Sequence, residues 1–156
     1  MKTLFLMIGK TTEQYLKEGM AIYEKRLKNY LTFETKIVPE LKKTSGLSIP
    51  QQQMQEGKLL MNSVVPGDVV ILLDERGKEL KSLDFANFLQ KNMLRGNKSI
   101  VFVVGGSYGF SNEMYERANE MISLSRMTFS HQMVRLIFLE QLYRAMTILK
   151  HEPYHH

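Results

Sequence analysis

Three apolar runs, each bounded by polar residues or glycine, constrain the possible fold more than any other feature of this sequence. Residues 4–8 read LFLMI, residues 68–74 read DVVILLD and residues 99–104 read SIVFVV. Runs without alternating polar side chains are typical of strands that are buried on both faces. Segments with helical spacing separate these runs, which predicts an α/β fold: a mostly parallel sheet flanked by helices, in a single domain spanning residues 1–156.

Helical spacing is clearest after the first run and at the end of the chain. Thr11 and Gln14 form a capping-box pattern ahead of a stripe of apolar residues. This first predicted helix buries Leu16, Met20, Tyr23, Leu27 and Leu31. The last predicted helix covers residues 131–150 and is apolar over more than half of its girth. Such a helix must be covered on two sides, either by a second subunit, which we expect, or deep inside a monomer.

The middle of the chain is less regular. Alternation predicts a half-exposed strand over residues 33–38, and polar, punctuated sequence predicts a loop over residues 40–50. A helix is expected over residues 51–63. Residues 75–80 (ERGKEL) are interpreted as the polar turn that ends the second apolar run.

Turn and capping residues delimit the remaining elements. Ser82 is expected to cap a helix that ends at Gly96, and Ser111 to cap a helix that reaches about Met121. Residues 121–129 (MISLSRMTF) are short and apolar, which favours a fifth buried strand. Strands and helices therefore alternate along the whole chain.

Composition limits the environment and the partners. The net charge of +5 is compatible with a polyanionic partner but is too small to require one. The chain has no cysteine, which excludes disulfides, thiol nucleophiles and thiolate metal sites. Neither a signal sequence nor a run of membrane-spanning length is recognisable, so we expect a cytoplasmic protein without membrane contact.

The glycine-rich residues 105–109 follow SIVFVV, where a strand ends and a helix begins. Backbone amides and the helix dipole can bind a ligand at such points. The pattern G-G-x-x-G is neither a dinucleotide fingerprint nor a P-loop, so a tight turn without a ligand is an equal alternative. In a parallel sheet, the turns after Leu73, Val104 and residues 121–129 would meet in one cleft, where main-chain groups could hold a nucleoside.

Histidines are the only candidates for a nitrogen-ligated metal site. They are His131, His151, His155 and His156. Pro153 breaks the helix that would align His151 with His155, and no carboxylate cluster joins them. We therefore expect no bound metal. Their position alone suggests that residues 152–156 form a disordered terminus.

Four stretches taken together are similar to one known family. They are ILLDERGK at residues 71–78, FVVGGSYGF at 102–110, LSRMTFSHQMVRLIFLEQLYRA at 124–145 and the closing HEPYHH. Over its whole length the chain resembles the RlmH family, the ribosomal large-subunit pseudouridine N3-methyltransferases of the SPOUT superfamily. The resemblance implies a C-terminal trefoil knot, a homodimer, and methyl transfer from S-adenosylmethionine to pseudouridine in 23S rRNA of the ribosome.

The resemblance also implies which residues form the site. In this family the knotted loops hold S-adenosylmethionine with its methyl group facing the partner subunit. The matching cofactor-binding residues are Leu73, Gly105, Leu124, Ser125, Arg126, Met127, Thr128 and Phe129. A cation or base would help the target imide to lose its proton. The catalytic candidates are His155, Tyr154 and Arg135. Arg144 is expected to pair with Glu140 across one helical turn.

Two other functions remain open from the sequence. A non-catalytic RNA-binding or ribosome-associated dimer would have the fold without a productive cofactor site. A nucleotide-dependent oxidoreductase is disfavoured, because its glycine fingerprint would follow the first strand and not the fourth. Binding of S-adenosylmethionine or of reduced nicotinamide nucleotides would separate the three functions.

Overall fold

The computed structural model describes residues 1–156 and contains five strands and five helices. In chain order they are β1 (Lys2–Ile8), α1 (Gln14–Leu27), β2 (Thr32–Val38), α2 (Ile49–Met61), β3 (Val69–Glu79), α3 (Ser82–Leu94), β4 (Ser99–Val104), α4 (Asn112–Arg117), β5 (Glu120–Ser123) and α5 (Met133–Leu149). The predicted alternation of strands and helices is confirmed. None of the helices combines the length and the apolar character needed to cross a membrane.

All five strands belong to one parallel sheet with the order β2-β1-β4-β3-β5. The three apolar runs of the sequence form the three inner strands, where both faces are covered. Since every strand points the same way, the turns that follow β1, β3, β4 and β5 lie along one edge of the sheet. This edge is where open α/β folds bind ligands.

Helices cover both faces of the sheet. Apolar side chains of α1, α3 and α5 pack on one face, and those of α2 and α4 pack on the other. At the centre of the first face, the ring of Phe138 on α5 lies 4.8 Å from the rings of both Phe5 on β1 and Phe102 on β4. Centroid separations of 4.5–7 Å are favourable for aromatic pairs, so these rings attach α5 to the middle of the sheet.

The predicted capping box at Thr11 is wrong. The N-cap of α1 is Glu13, whose side chain makes no capping hydrogen bond, and the Thr11 side chain is buried. The structure has a capping box one helix later, where the Ser48 hydroxyl accepts from the Gln51 amide and the Gln51 side chain accepts from the Ser48 amide. Thr11 is unavailable because its hydroxyl accepts a hydrogen bond from Arg135.

Residues 75–80 were expected to form a turn, but β3 continues to Glu79. After an irregularity in register, Lys78 of β3 pairs with Ile122 of β5. The backbones approach closely there, because a Cβ on Gly77 would lie 2.6 Å from the Ile122 nitrogen. Polar sequence is compatible with this strand because β3 passes beyond β4 and becomes exposed.

The fifth strand and its flanking helix also differ from the prediction. Ser111 caps α4 as expected, but the helix ends at Arg117 and not near Met121. Only Glu120–Ser123 forms β5, and residues 124–132 form a loop. Apolar residues in this loop are therefore not core strand residues, which leaves them available to line a cleft.

Two smaller boundaries differ from the prediction, at the starts of α3 and α5. Ser82 is the first residue of α3 and not its cap, since Lys81 occupies the N-cap position. The Ser82 hydroxyl donates to Gln141 of α5 instead. The helix predicted over residues 131–150 begins at Met133.

The wide apolar girth of α5 is explained in part within one chain. The helix contacts both α1 and α3, and its Phe138, Leu139, Leu142, Ala145 and Met146 are buried. This arrangement is the buried terminal helix that was the alternative to a subunit interface. The homodimer and the trefoil knot therefore remain predictions.

Arg135 connects α5 to the end of β1. Its side chain is fully buried and donates to the Ile8 carbonyl at 2.7 Å, to the Gly9 carbonyl at 2.8 Å and to the Thr11 hydroxyl at 3.1 Å. Ile8 is the last residue of β1, and Gly9 and Thr11 belong to the turn that follows it. The arginine thus supplies the hydrogen-bond donors that this buried turn requires.

We expect Arg135→Ala to destabilise the protein by at least about 3 kcal/mol, since each buried group left without a partner costs roughly 1–3 kcal/mol. Denaturant unfolding followed by circular dichroism measures the change. Arg95→Ala, which removes an exposed arginine, is the control and should alter stability by less than about 0.5 kcal/mol. Equal effects of the two variants would contradict the role given to Arg135.

Candidate cofactor and active site

A cleft of about 630 Å³ lies at the carboxyl edge of the sheet. It is formed by residues 73–76 of β3, the segments that follow β4 and β5, and the start of α5. The residues after Leu73, Val104 and Ser123 therefore meet in one cleft, as the parallel sheet predicted, although those after Leu73 belong to a strand and not to a turn. The volume falls within the range of about 300–1,000 Å³ that is usual for small-molecule sites.

The glycine turn after β4 forms one wall of this cleft. The Gly109 amide donates to the Gly106 carbonyl at 3.2 Å, and Gly109 has a φ of +79°, in the left-handed region that favours glycine. A Cβ on Gly105 would lie 3.3 Å from the Gly109 backbone, and one on Gly106 would lie 2.6 Å from Glu56. Side chains at these positions would displace the wall of the cleft.

The loop over residues 124–132 forms a second wall. Hydroxyl groups fold it locally: Ser123 donates to the Ser125 carbonyl, the Ser125 hydroxyl accepts from the Met127 amide, and the Ser130 hydroxyl accepts from the Met133 amide. With the loop folded in this way, all but one of the predicted cofactor-binding residues line the cleft. Those that line it are Leu73, Gly105, Leu124, Ser125, Met127, Thr128 and Phe129.

Arg126 is the exception among the predicted cofactor-binding residues. Its side chain is 88% exposed and forms a 2.6 Å ion pair with Glu79 at the end of β3. It does not line the cleft. Any contribution of residue 126 to cofactor binding would therefore come from a change in its orientation.

The wall opposite the loop carries a polar network that was not expected from the sequence. The Tyr115 hydroxyl donates to Asp74, Arg76 donates to the Tyr115 oxygen, and the Arg76 guanidinium lies 4.5 Å from the centre of the Tyr115 ring. Burial and the Asp74 hydrogen bond raise the pKa of Tyr115, so its phenol keeps its proton. No motif indicated this network because residues 75–80 were interpreted as a surface turn.

His131 also lines the cleft, at the end of the loop that leads into α5. Unlike His155, it had no role assigned from the sequence. Burial lowers its pKa below the ordinary value of 6.5, and the positive charge of Arg135 lowers that pKa further, against an opposing effect of Glu40. The imidazole is therefore neutral at pH 7.

The C-terminal residues are folded against the helices, contrary to the disorder that their position suggested. Tyr154 donates from its hydroxyl to Glu140 of α5 at 3.0 Å, and its ring lies 4.8 Å from the ring of Tyr143. Tyr30 donates to Glu152 at 2.6 Å, which raises the pKa of the tyrosine to about 12. None of these residues lines the cleft of the same protomer.

His155 is held by Arg144. The Arg144 guanidinium lies 3.2 Å from Nδ1 of His155 and forms the predicted ion pair with Glu140 at 2.7 Å. Because arginine can only donate, Nδ1 of His155 must be the acceptor, and the proton of the neutral ring lies on Nε2. Burial, with the hydrogen bonds to Tyr23 and Glu140, raises the pKa of Tyr154 far above its usual value. Of the two tail residues, His155 therefore presents a hydrogen-bond donor at Nε2, whereas the Tyr154 hydroxyl donates to Glu140.

The third catalytic candidate, Arg135, belongs neither to the cleft lining nor to the contacts of the C-terminal tail. It is fully buried at the end of β1 and is absent from the cleft lining. Its geometry fits the structural role described above and offers no contact with a substrate. We do not place it in the catalytic set.

Comparison with known proteins adds the family to this geometry. The family described as "Predicted SPOUT methyltransferase" matches residues 1–155. The chain belongs to the SPOUT methyltransferase family. The methyltransferase activity class expected from the sequence is thereby confirmed.

Curated relatives of this SPOUT methyltransferase match over nearly their full lengths. The protein from Bacteroides thetaiotaomicron is 53% identical over 156 residues, which cover 100% of this chain and 99% of the relative. The protein from Christiangramia forsetii is 55% identical over 149 residues, which cover 96% and 95% of the two chains. Both relatives carry the name "Ribosomal RNA large subunit methyltransferase H". The resemblance recognised in the sequence is confirmed.

Solved structures support the SPOUT fold. A probable methyltransferase from Bordetella pertussis superposes with a TM-score of 0.57 at 12% identity, covering 92% of this chain and 93% of the other. A probable methylase family protein from Haemophilus influenzae gives a TM-score of 0.52 at 10% identity, with coverage of 99% and 70%. At these identities the comparison concerns the fold alone.

Gly105→Val should weaken binding of S-adenosylmethionine by roughly tenfold or more, equivalent to at least about 1.4 kcal/mol. The reason is that the methyl groups of the valine side chain would enter the narrow glycine turn. Isothermal titration measures the affinity. Gly46→Asn is the control: nothing lies within 4 Å of this glycine, and Asn tolerates its φ of +86°. Unchanged affinity in a folded Gly105→Val variant would remove the glycine turn from the cofactor site.

Proposed function

We propose that this chain transfers a methyl group from S-adenosylmethionine to N3 of a pseudouridine in 23S rRNA of the large ribosomal subunit. The observation that carries the proposal is full-length identity above 50% to relatives named for methylation of large-subunit ribosomal RNA. Work on ribosomes implies a cytoplasmic location for the enzyme.

The chemistry of the cleft supports S-adenosylmethionine as the cofactor. A nucleoside needs apolar surface for its base and main-chain groups for specificity. Leu73, Leu124 and Phe129 supply apolar surface, and the glycine turn lets the backbone approach closely. Asp74 and Tyr115 add polar groups at the rim. We therefore assign the cleft to the cofactor, including the predicted residues that line it.

Bound S-adenosylmethionine supplies an electrophilic methyl group on a sulfonium. In-line displacement requires the target nitrogen, the methyl carbon and the sulfur to be aligned, so the protein acts mainly by positioning and by stabilising charge. The target imide becomes anionic as it loses its proton. Nε2–H of His155 is a donor that suits this developing charge. The Tyr154 hydroxyl donates its hydrogen to Glu140, and its oxygen can accept a hydrogen bond from the base. We propose that these two residues bind the target base.

The separation of the tail from the cleft supports a homodimer. Tyr154 and His155 contact α5 and α1, whereas the cleft lies at the opposite, N-terminal end of α5. The same helical layer exposes Tyr15 and Ile22 on α1 and Leu83 on α3, each more than half exposed. We propose that this layer is the two-fold interface and that the tail of one protomer completes the cleft of its partner.

Mixed dimers test this arrangement. Gly105→Val has a blocked cofactor site, and the double variant Tyr154→Phe with His155→Ala has an inactive tail, so each should be inactive alone. Random mixing after refolding should restore about a quarter of wild-type activity, because half of the dimers would be mixed and each would have one intact site. Mixing two preparations of the tail variant is the control. No recovery in the first mixture would contradict a shared site.

The proposed substrate fits the charge of the protein. A net charge of +5 favours a polyanion, and phosphate contacts make RNA binding weaken as salt rises. One compact domain offers the cleft and its rim for reading RNA, so recognition should depend on the shape of an assembled surface around a presented base.

Assembled ribosomes from a strain without the modification should accept the methyl group much better than naked 23S rRNA, by roughly tenfold or more in rate, since shape recognition requires the assembled surface. Labelled cofactor, nuclease mapping and mass spectrometry locate the product. Equal labelling of naked RNA would contradict shape recognition. A methyl group found only on transfer RNA would contradict the proposed substrate, and binding of the cofactor without any transfer would favour a non-catalytic RNA-binding protein.

A further inference from the structure

The cleft contains one titratable side chain with no assigned role that suits proton transfer. His131 lines the cleft with the glycine turn and the loop over residues 124–132, and it is half-buried. It lies one helical turn before Arg135, which is fixed to the end of β1. His131 is therefore held close to a rigid part of the fold, beside the proposed methyl donor.

Charged groups around His131 favour a proton acceptor. On the side of the cleft that carries His131, the charge of Arg135 disfavours the protonated form of His131. Glu40, from the segment after β2, stabilises that form. Across the cleft lie Asp74, Glu75 and Arg76. Burial, and secondly Arg135, lower the pKa of His131 against the effect of Glu40, so the resting ring is neutral and has a free lone pair.

The other polar groups near the reaction are unsuited to accept a proton. Tyr154 keeps its proton because its pKa is raised, and Nδ1 of His155 is occupied by Arg144. Asp74 accepts from Tyr115 through one carboxylate oxygen and from the Arg76 amide through the other. These three groups are already engaged, whereas no hydrogen bond engages the neutral ring of His131.

We propose that His131 is the general base that removes the N3 proton of the target base during methyl transfer. The inference rests on the proposed function. As the N3–H bond breaks, the proton passes to a ring nitrogen of His131, and the electron pair left on N3 forms the bond to the methyl carbon. The carbon–sulfur bond breaks with its electrons going to sulfur, which becomes a neutral thioether. Glu40 favours the imidazolium that results.

The test is the pH dependence of a single methyl-transfer turnover at saturating cofactor. A general base must be unprotonated, so the wild-type rate should be full above the pKa of His131 and fall as pH decreases through it, below the ordinary value of 6.5. His131→Gln should lower the rate at pH 7 by roughly 10²-fold or more and abolish this acidic limb. Its rate should recover towards alkaline pH, where the target imide ionises by itself.

Two further variants distinguish catalysis from folding. Glu40→Gln removes the charge that stabilises the imidazolium, so it should shift the acidic limb to lower pH while leaving cofactor affinity unchanged. His151→Asn is the matched control, because His151 is exposed and its φ of +57° suits Asn. It should retain the wild-type profile.

The outcomes separate this inference from the proposed function. If the wild-type enzyme transfers no methyl group to ribosomal RNA, the proposed function fails. If the wild-type enzyme is active and His131→Gln keeps the same acidic limb, the general-base role is wrong. Loss of cofactor affinity in His131→Gln in parallel with the rate would also overturn that role, because it would indicate a binding or structural contribution.

Discussion

The hydrogen bonds from Arg135 to the end of β1 fix how the last third of the chain is attached to the sheet. Ile8 and Gly9 are buried, and an arginine from α5 donates to both of their carbonyls. Phe138, one turn later, packs between Phe5 and Phe102. Together these contacts hold α5 between α1 and α3, with its first residues at the carboxyl edge of the sheet.

The position of α5 determines the shape of the cleft. Because β5 ends at Ser123 and α5 begins at Met133, the intervening loop must pass along the carboxyl edge, beside the glycine turn. The same attachment carries the C-terminal tail to the opposite end of α5, where Tyr154 and His155 bind to helix residues. The residues proposed to bind the cofactor and those of the tail are thus separated within one chain, and this separation underlies the proposed dimer.

Hydrogen bonds determine which polar groups can donate a proton and which can accept one. Tyr154 has a raised pKa and donates its proton to Glu140, and Arg144 holds His155 with Nε2–H as its donor. His131 has the opposite character, since burial and Arg135 keep it neutral. One buried arginine therefore serves both the fold and the proposed chemistry: it completes the turn after β1 and keeps the neighbouring imidazole able to accept a proton.

The sequence determined the strand and helix alternation, the three inner strands and the family, because unbroken apolar runs and linked motifs are local patterns. Through the family resemblance it also identified seven residues of the cleft wall, among them Gly105 and Phe129. Tertiary structure alone decided that β3 continues through a polar segment, that Thr11 serves Arg135 and not a helix cap, and that His131 and Tyr115 belong to the cleft. The reason is that these features depend on which distant backbone groups need partners, and a local pattern does not record that requirement.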